Sequence, residues 1–503
     1  MGETGEATAA GAGTNAPGAR KGTEIDFRTT SLAELTHSVR TREISARELT
    51  QAALDRIQRL DPTYNAFVAV DGERALAEAD GIDARIAGGA DPGPLAGIPL
   101  GVKELQNAIG YPTTYGSALY ADAPNATEDD PFVARMRAAG CVIVGKTNTP
   151  EFGWMGNTTN SIFGPSLNPF DQSRGPGGSS GGAAAALAAG MVPLATGSDG
   201  GGSIRIPSAC CGLAGMKPSL GRVPSGGPNP PGWPDLSTNG PMARRVADVV
   251  RALDVAVGPD PTDLRSLPRP EANWVAALED AHVPVRIAYA PTLGYATVDA
   301  EVATACERAV GVLESLGAEV VVLDSVFDGD PVGDFLTVTG AATLRTLRPF
   351  MGHPRWEEVH PVLRYYVEAA QATTAEQLLV VFDNYHRMNL RLVELFHSCR
   401  ILVTPTCSAL APLADDMVSP VNGVNTANWV QFTYPFNMTR SPAASVPIAM
   451  SSSGLPIGLQ LVGPQHGDLV VLRTAAALEA AIDHDFLATL PEQSEPLSRV
   501  RNP

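Results

Sequence analysis

The sequence predicts an α/β protein, and three observations carry that prediction. Strand and helix patterns alternate clearly after residue 283, short β-branched runs elsewhere read as buried strands, and capped amphipathic helices open the ordered part of the chain. At 503 residues, 44% of them hydrophobic, the chain can bury a large core.

Ordered structure is expected to begin near Ser31. Ser31 with Glu34, and Ser45 with Glu48, each form a capping-box signature at a helix start. In the second helix Leu49, Ala53, Ile57 and Leu60 recur at helical spacing, and Asp61-Pro62 should stop it. Phe67 to Val70 reads as a strand, followed by an acidic, Ala-rich helix to about residue 86. A helix around Phe132 to Ala139 leads into the strand Cys141-Val-Ile-Val144. Further on, Val285 to Ala290 is a strand, Asp299 to Leu316 a helix, and Glu319 to Leu323 a strand. Residues 341 to 398 are mostly helical; Ile401 to Val403 and Ile457 to Val462 return to the sheet, and Leu469 to Ile482 is a closing helix. Pro- and Gly-rich stretches at 224 to 241 and 411 to 424 are read as loops, long enough to rim a site.

Charge and cysteine content narrow the class of function. The chain carries 36 basic against 54 acidic residues, a net charge of −18. That balance argues against nucleic acid or an anionic membrane as partner, since both call for a basic face. Six cysteines with no CxxC pair fit reduced thiols and a cytoplasmic location; Cys210 and Cys211 read as small packed hydrophobes. The eight histidines form neither HxxxH nor HExxH, so no metal site is expected. Residues 1 to 23 lack a secretory pattern and read as a disordered tail, and no apolar run is long enough to span a membrane.

One motif misleads. Gly140-Cys-Val-Ile-Val-Gly-Lys-Thr147 fits the P-loop pattern letter for letter. A P-loop needs flexible backbone between its glycines to cradle phosphate, and here the intervening residues are strand formers, with Pro150 close behind. Nucleotide binding is not expected.

The chemistry concentrates between residues 177 and 207. Gly-Gly-Ser-Ser-Gly-Gly opens the stretch, an Ala-rich helix former follows, and Ser198-Asp-Gly-Gly-Gly-Ser-Ile-Arg-Ile-Pro207 closes it. Each of Ser179 and Ser203 is bound by glycines, and each is either a turn former or an activated nucleophile. Gly200, Gly201 and Gly202 directly before Ser203 can offer a nest of backbone N–H groups, an oxyanion hole with a nucleophile at its end. Histidine is absent from the region, which argues against a Ser-His-Asp triad. Lys103, upstream in Gly101-Val-Lys103-Glu104, can serve as base if burial lowers its pKa.

These residues resemble the amidase signature family of serine hydrolases, across Gly177 to Ser208 and in flanking segments. Leu95-Ala-Gly-Ile-Pro-Leu-Gly-Val-Lys103, Thr114-Tyr-Gly-Ser117, Gly145-Lys-Thr-Asn-Thr-Pro-Glu-Phe152, Leu402-Val-Thr-Pro-Thr406 and Gly454-Leu-Pro-Ile-Gly-Leu-Gln460 agree with it, so the resemblance covers roughly residues 30 to 485. It implies the amidase signature fold, a large central mixed β-sheet covered by helices on both faces. It also implies one domain over 24–495, with a variable helical substrate-binding portion at about 325–400 and a C-terminal tail at 496–503.

The resemblance further implies a Ser-cisSer-Lys triad, with Ser203 the nucleophile, Ser179 the bridging serine after a cis peptide bond, and Lys103 the base. Asp199 and Arg205 are implied supports of the nucleophile loop, and their chemistry suits a salt-bridged pair equally well. Ser180 is expected to hydrogen-bond backbone, and Trp154 falls where family members line the acyl pocket. Two departures stand out: Glu104-Leu-Gln replaces the usual Asp-containing continuation, and Arg440 stands where glycine is common. The expected activity is cofactor-free hydrolysis of a small-molecule amide, with carbamates (urethanes), aryl amides or esters also open to the same chemistry. The expected state is a monomer or homodimer. The alternative is the glutamine-hydrolysing component of a tRNA-dependent amidotransferase.

Overall fold

The computed structural model describes Met1 and residues 25–227, 230–482 and 486–490. The tails expected at 1–23 (Met1 apart) and 496–503 lie outside the described residues. Eleven strands form one sheet: β1 Phe67–Val70, β2 Pro99–Lys103, β3 Val142–Thr147, β4 Leu194–Asp199, β5 Ala214–Lys217, β6 Thr238–Ala243, β7 Arg286–Tyr289, β8 Glu319–Val322, β9 Leu402–Pro405 and, beyond a small hairpin, β12 Ala443–Met450 and β13 Pro456–Val462. The hairpin pairs β10 Ser419–Val421 with β11 Val424–Thr426.

The sheet order is β1-β3-β2-β4-β6-β5-β12-β13-β9-β7-β8. Its centre, from β4 through β9, is antiparallel, while β3-β2-β4 and β9-β7-β8 are parallel. The sheet is therefore mixed and flanked by helices, the architecture the resemblance implied. Strands β2 and β3 are buried at every position, as expected where a parallel sheet is covered on both faces.

Both predicted capping boxes form, with Ser31 and Ser45 each exchanging hydrogen bonds with the glutamate three residues on. The second helix does not stop at Asp61-Pro62; it runs Ala46–Tyr64 and ends on Asn65 in the left-handed region, φ 48°. Pro62 sits in the final turn, and the Asp61 carboxylate accepts the N–H groups of Ala66 and Phe67, so the proline is absorbed rather than breaking the helix. The stretches read as loops also contain strand: β6 begins at Thr238, and β10 lies inside 411–424. Strands β2, β4, β5, β6 and β12 leave little trace in the sequence because glycine, alanine and proline dilute the β-branched signal in them. The P-loop letters fall in β3, which carries Gly145, Lys146 and Thr147 as strand residues.

The helix Gly181–Ala188 is fully buried against the sheet. Only small residues fit its start: a Cβ on Gly181 would lie 2.2 Å from Thr158 Oγ1, and one on Gly182 2.3 Å from the Asn148 nitrogen. Helices Val332–Leu347, Pro361–Ala369 and Ala375–Ser398 build two smaller cores beside the sheet, one around Val338, Tyr385 and Phe432, the other around Leu347, Trp356 and Leu363.

Candidate active site

The site lies at the carboxyl ends of β2 and β4, where parallel strands open toward a cavity. Lys103 is the last residue of β2, and Ser198 and Asp199 close β4. Ser203 follows on the turn into the helix Arg205–Cys210, and Ser179 stands just before the helix Gly181–Ala188. The Gly178–Ser179 peptide is cis.

Lys103 is completely buried. Its Nζ donates to Ser179 Oγ at 2.8 Å, to Ser198 Oγ at 3.0 Å and to the Ser198 carbonyl at 3.3 Å. Burial pushes its pKa down to about 7, opposed by the Asp199 charge, so a large share of Lys103 is the neutral amine near neutral pH. The Ser180 N–H donates to the Ser203 carbonyl at 3.2 Å, which ties the two serine segments together. Among the described residues Ser180 Oγ hydrogen-bonds only the Ser198 carbonyl, at 3.5 Å. Among the described residues Ser203 Oγ has no hydrogen-bond partner, and it opens to the cavity.

Asp199 and Arg205 form a fully buried salt bridge. The guanidinium grips the carboxylate with two bonds, 2.9 and 2.8 Å, and also donates to the Thr433 carbonyl, Gln460 Oε1 and Asn437 Oδ1. Burial alone would raise the Asp199 carboxyl, but the Arg205 charge and hydrogen bonds hold it well below the usual range. Asp199 also accepts the Gly202 N–H at 2.7 Å and the Ile204 N–H at 3.2 Å.

That bond corrects the reading of the three glycines. Gly202 spends its N–H on Asp199, so it is not a free oxyanion donor. Among the described residues the N–H groups of Gly200, Gly201 and Ser203 make no hydrogen bond. Each glycine nonetheless has a steric reason. A Cβ on Gly200 would lie 2.6 Å from the Trp233 ring and one on Gly201 2.6 Å from the Phe335 ring. Gly202 has φ +130° and would place a Cβ 2.3 Å from Thr433 Oγ1.

A cavity of about 560 Å³ opens over Ser203, Ser179 and Gly200. One side is aromatic, with Tyr115 stacked on Phe152 at 5.9 Å and Tyr120 edge-on to both. The other side carries Trp233, Thr343 and Arg345. Trp154 is not on the wall: it stands behind it, with its Nε1 on Thr343 Oγ1 at 3.2 Å and its ring against Tyr366 and Trp233.

The departure Glu104-Leu-Gln is built into the site. Glu104 forms a buried ion pair with Lys146 at 2.9 Å and accepts from Thr114 N and Oγ1. Leu105 and Gln106 line the cavity; Gln106 is fixed by Thr196 and Asn239. Arg440, where glycine is common, adopts φ +58° and pairs with Asp235 at 3.3 Å. Cys210 and Cys211 are buried and unpaired, as small packed hydrophobes should be. Among the described residues no His, Cys, Asp or Glu cluster could hold a metal ion, and no helix is long and apolar enough to cross a membrane.

Sequence reasoning misses Trp233, Phe335, Thr343 and the Tyr115–Tyr120–Phe152 group. No local pattern singles them out, although Tyr115 and Phe152 stand inside the flanking motifs.

The family model described as Amidase matches residues 48–472. An acylamidase of Rhodococcus erythropolis is 36% identical, over 91% of this chain and 96% of that protein. The A-type subunit of the glutamyl-tRNA(Gln) amidotransferase of Thiobacillus denitrificans is 34% identical, over 90% and 97%. The crystal structure of a bacterial aryl acylamidase of the amidase signature family superposes with a TM-score of 0.86 at 29% identity, covering 91% of this chain and 97% of that one.

Proposed function

We propose, given that this chain belongs to the amidase signature family of amide hydrolases, that it cleaves small carboxamides through an acyl-enzyme on Ser203. The observation that carries this reading is the 2.8 Å bond from a buried Lys103, its pKa near 7, to Ser179, which lines the same cavity as Ser203. Neutral Lys103 accepts the Ser179 proton as Ser179 accepts that of Ser203, and Ser203 Oγ attacks the carbonyl carbon. The carbonyl oxygen, now negative, takes the unclaimed N–H groups of Gly200, Gly201 and Ser203. As the intermediate collapses, the C–N bond breaks and the relay returns a proton to the leaving amine. Water, deprotonated by the same relay, then releases the acid.

The aromatic wall of Tyr115, Tyr120 and Phe152 supports acceptance of aryl amides, and carbamates (urethanes) and esters suit the same acyl chemistry. A fluorophosphonate probe should label the wild-type chain and fail to label Ser203→Ala; labelling that survives the change sinks the mechanism. The glutamine-hydrolysing component of an amidotransferase is a second reading, supported by the similarity to the Thiobacillus denitrificans protein over nearly the whole chain. Amide turnover by the purified chain alone favours the amidase, and strict dependence on partner proteins favours the rival.

A further inference from the structure

The two tryptophans beside the cavity share one acceptor. Trp154 Nε1 and Trp233 Nε1 both donate to Thr343 Oγ1, at 3.2 and 3.1 Å, and that hydroxyl donates to the Thr339 carbonyl at 2.7 Å. A threonine hydroxyl has one donor and two acceptor sites, so Thr343 is saturated. Thr343 is 4% exposed and, with Trp233, borders the cavity, so the Trp233 N–H released from it must turn toward the cavity for a partner.

What hangs from this hydroxyl matters for the reaction. Trp233 lies against Gly200, close enough that a Cβ there would meet its ring at 2.6 Å. Trp233 also meets Phe335 edge-on at 5.9 Å, and Phe335 presses on Gly201 in the same way. Phe335 and Thr343 are two turns apart on one helix, Val332–Leu347, with Thr339 between them on the same face. That helix therefore backs both glycines of the oxyanion loop, at Gly201 directly and at Gly200 through the Thr343–Trp233 bond.

We infer that Thr343 is a positioning residue for substrate discrimination: it locks Trp233 as a fixed wall between the oxyanion loop and the bulky part of the substrate. The inference rests on the reading of Ser203 as nucleophile. A large anilide reaches the Trp233 wall, whereas acetamide fills only the space over Ser203. Freeing the indole lets the wall shift, which penalises the large substrate through KM more than the small one.

The test measures kcat and KM for an anilide and for acetamide. In Thr343→Val the anilide-to-acetamide ratio of kcat/KM should fall about tenfold, mostly through anilide KM. Thr343→Ser keeps the acceptor and should restore the ratio to within about twofold. Trp233→Phe should lower it as Thr343→Val does, and the double variant should fall no further, because the Thr343–Trp233 bond is already lost in either single variant. With 5-fluorotryptophan, two of the five tryptophan resonances should move in Thr343→Val, assigned through Trp154→Phe and Trp233→Phe. An unchanged ratio in Thr343→Val, or fully additive losses in the double variant, overturns the inference. Should Thr343→Val not fold, a wild-type ratio in Trp233→Phe overturns it equally. Fluorophosphonate labelling of each variant separates the two readings: no labelling of wild type sinks the mechanism, and normal labelling with an unchanged ratio sinks only the inference.

Discussion

Lys103 and Lys146 stand on neighbouring parallel strands, both fully buried, and they serve opposite ends. The register pairs Val102 with Lys146 and Lys103 with Thr147, so the two lysines point to opposite faces of the sheet. Continuing the alternation, Glu104 turns to the Lys146 side and pairs with it at 2.9 Å. Lys103 is left facing hydroxyls and a carbonyl, with no carboxylate in contact among the described residues. Burial pushes both lysines below the usual range, and at Lys146 the Glu104 charge and hydrogen bond work against that fall. The difference teaches that burial alone does not make a base. A buried lysine whose neighbours are hydroxyls suits the base role proposed for Lys103; one beside a carboxylate is held in an ion pair.

The sharpest way to break this comparison is to remove each lysine in turn. Lys103→Ala should lower kcat by about 10²–10⁴-fold while leaving the melting temperature near wild type. In the intact enzyme kcat should rise with pH through about 7, because the depressed Lys103 must lose its proton to act. The linked stability rises with pH from about 7 toward the ordinary lysine value, since over that window the unfolded chain binds the proton that folded Lys103 has released. A flat kcat–pH profile across that range would remove Lys103 from the relay.

Lys146→Ala should act on the other quantity. It strands the Glu104 carboxylate in the interior and should cost about 3–5 kcal/mol in urea unfolding. Replacing both charges, Glu104→Gln with Lys146→Met, should recover most of that loss, to within about 2 kcal/mol of wild type. A double variant as unstable as the single would mean that packing, not the stranded charge, sets the cost.

The smallest expected effect lies far from the pair. Arg440→Gly relieves a left-handed residue but gives up a half-exposed ion pair and adds chain entropy to the unfolded state. The net change in thermal unfolding should be under about 1 kcal/mol. A larger loss would show that Asp235, which also holds Arg265 at 2.6 Å, depends on both arginines.

Legibility in the sequence follows the range of each interaction. Capping boxes, the helix of small residues after Ser180 and the α/β alternation after residue 283 are local patterns, and they appear where expected. Strands β2 and β4, which present Lys103 and Asp199, carry one β-branched residue each, diluted by glycine, proline or alanine, and leave little periodic trace. At the site, Ser179, Ser203 and Lys103 are readable because glycine punctuates the serines and the missing histidine turns attention to a lysine. Trp154 stands one layer farther from the cavity than the resemblance implies, since nothing local reveals that Trp233 and Thr343 stand in front of it.

By itself the sequence determined which atoms were available for chemistry: two serine hydroxyls, a lysine amine and a glycine-rich turn. It did so because those residue types and their spacing are local properties of the chain. Tertiary structure alone decided what each atom became. It set Lys103 against Ser179 and turned Glu104 toward Lys146, because side-chain direction depends on strand register. It gave the Gly202 amide to Asp199 and the faces of Gly200 and Gly201 to Trp233 and Phe335, because those partners arrive from segments distant along the chain.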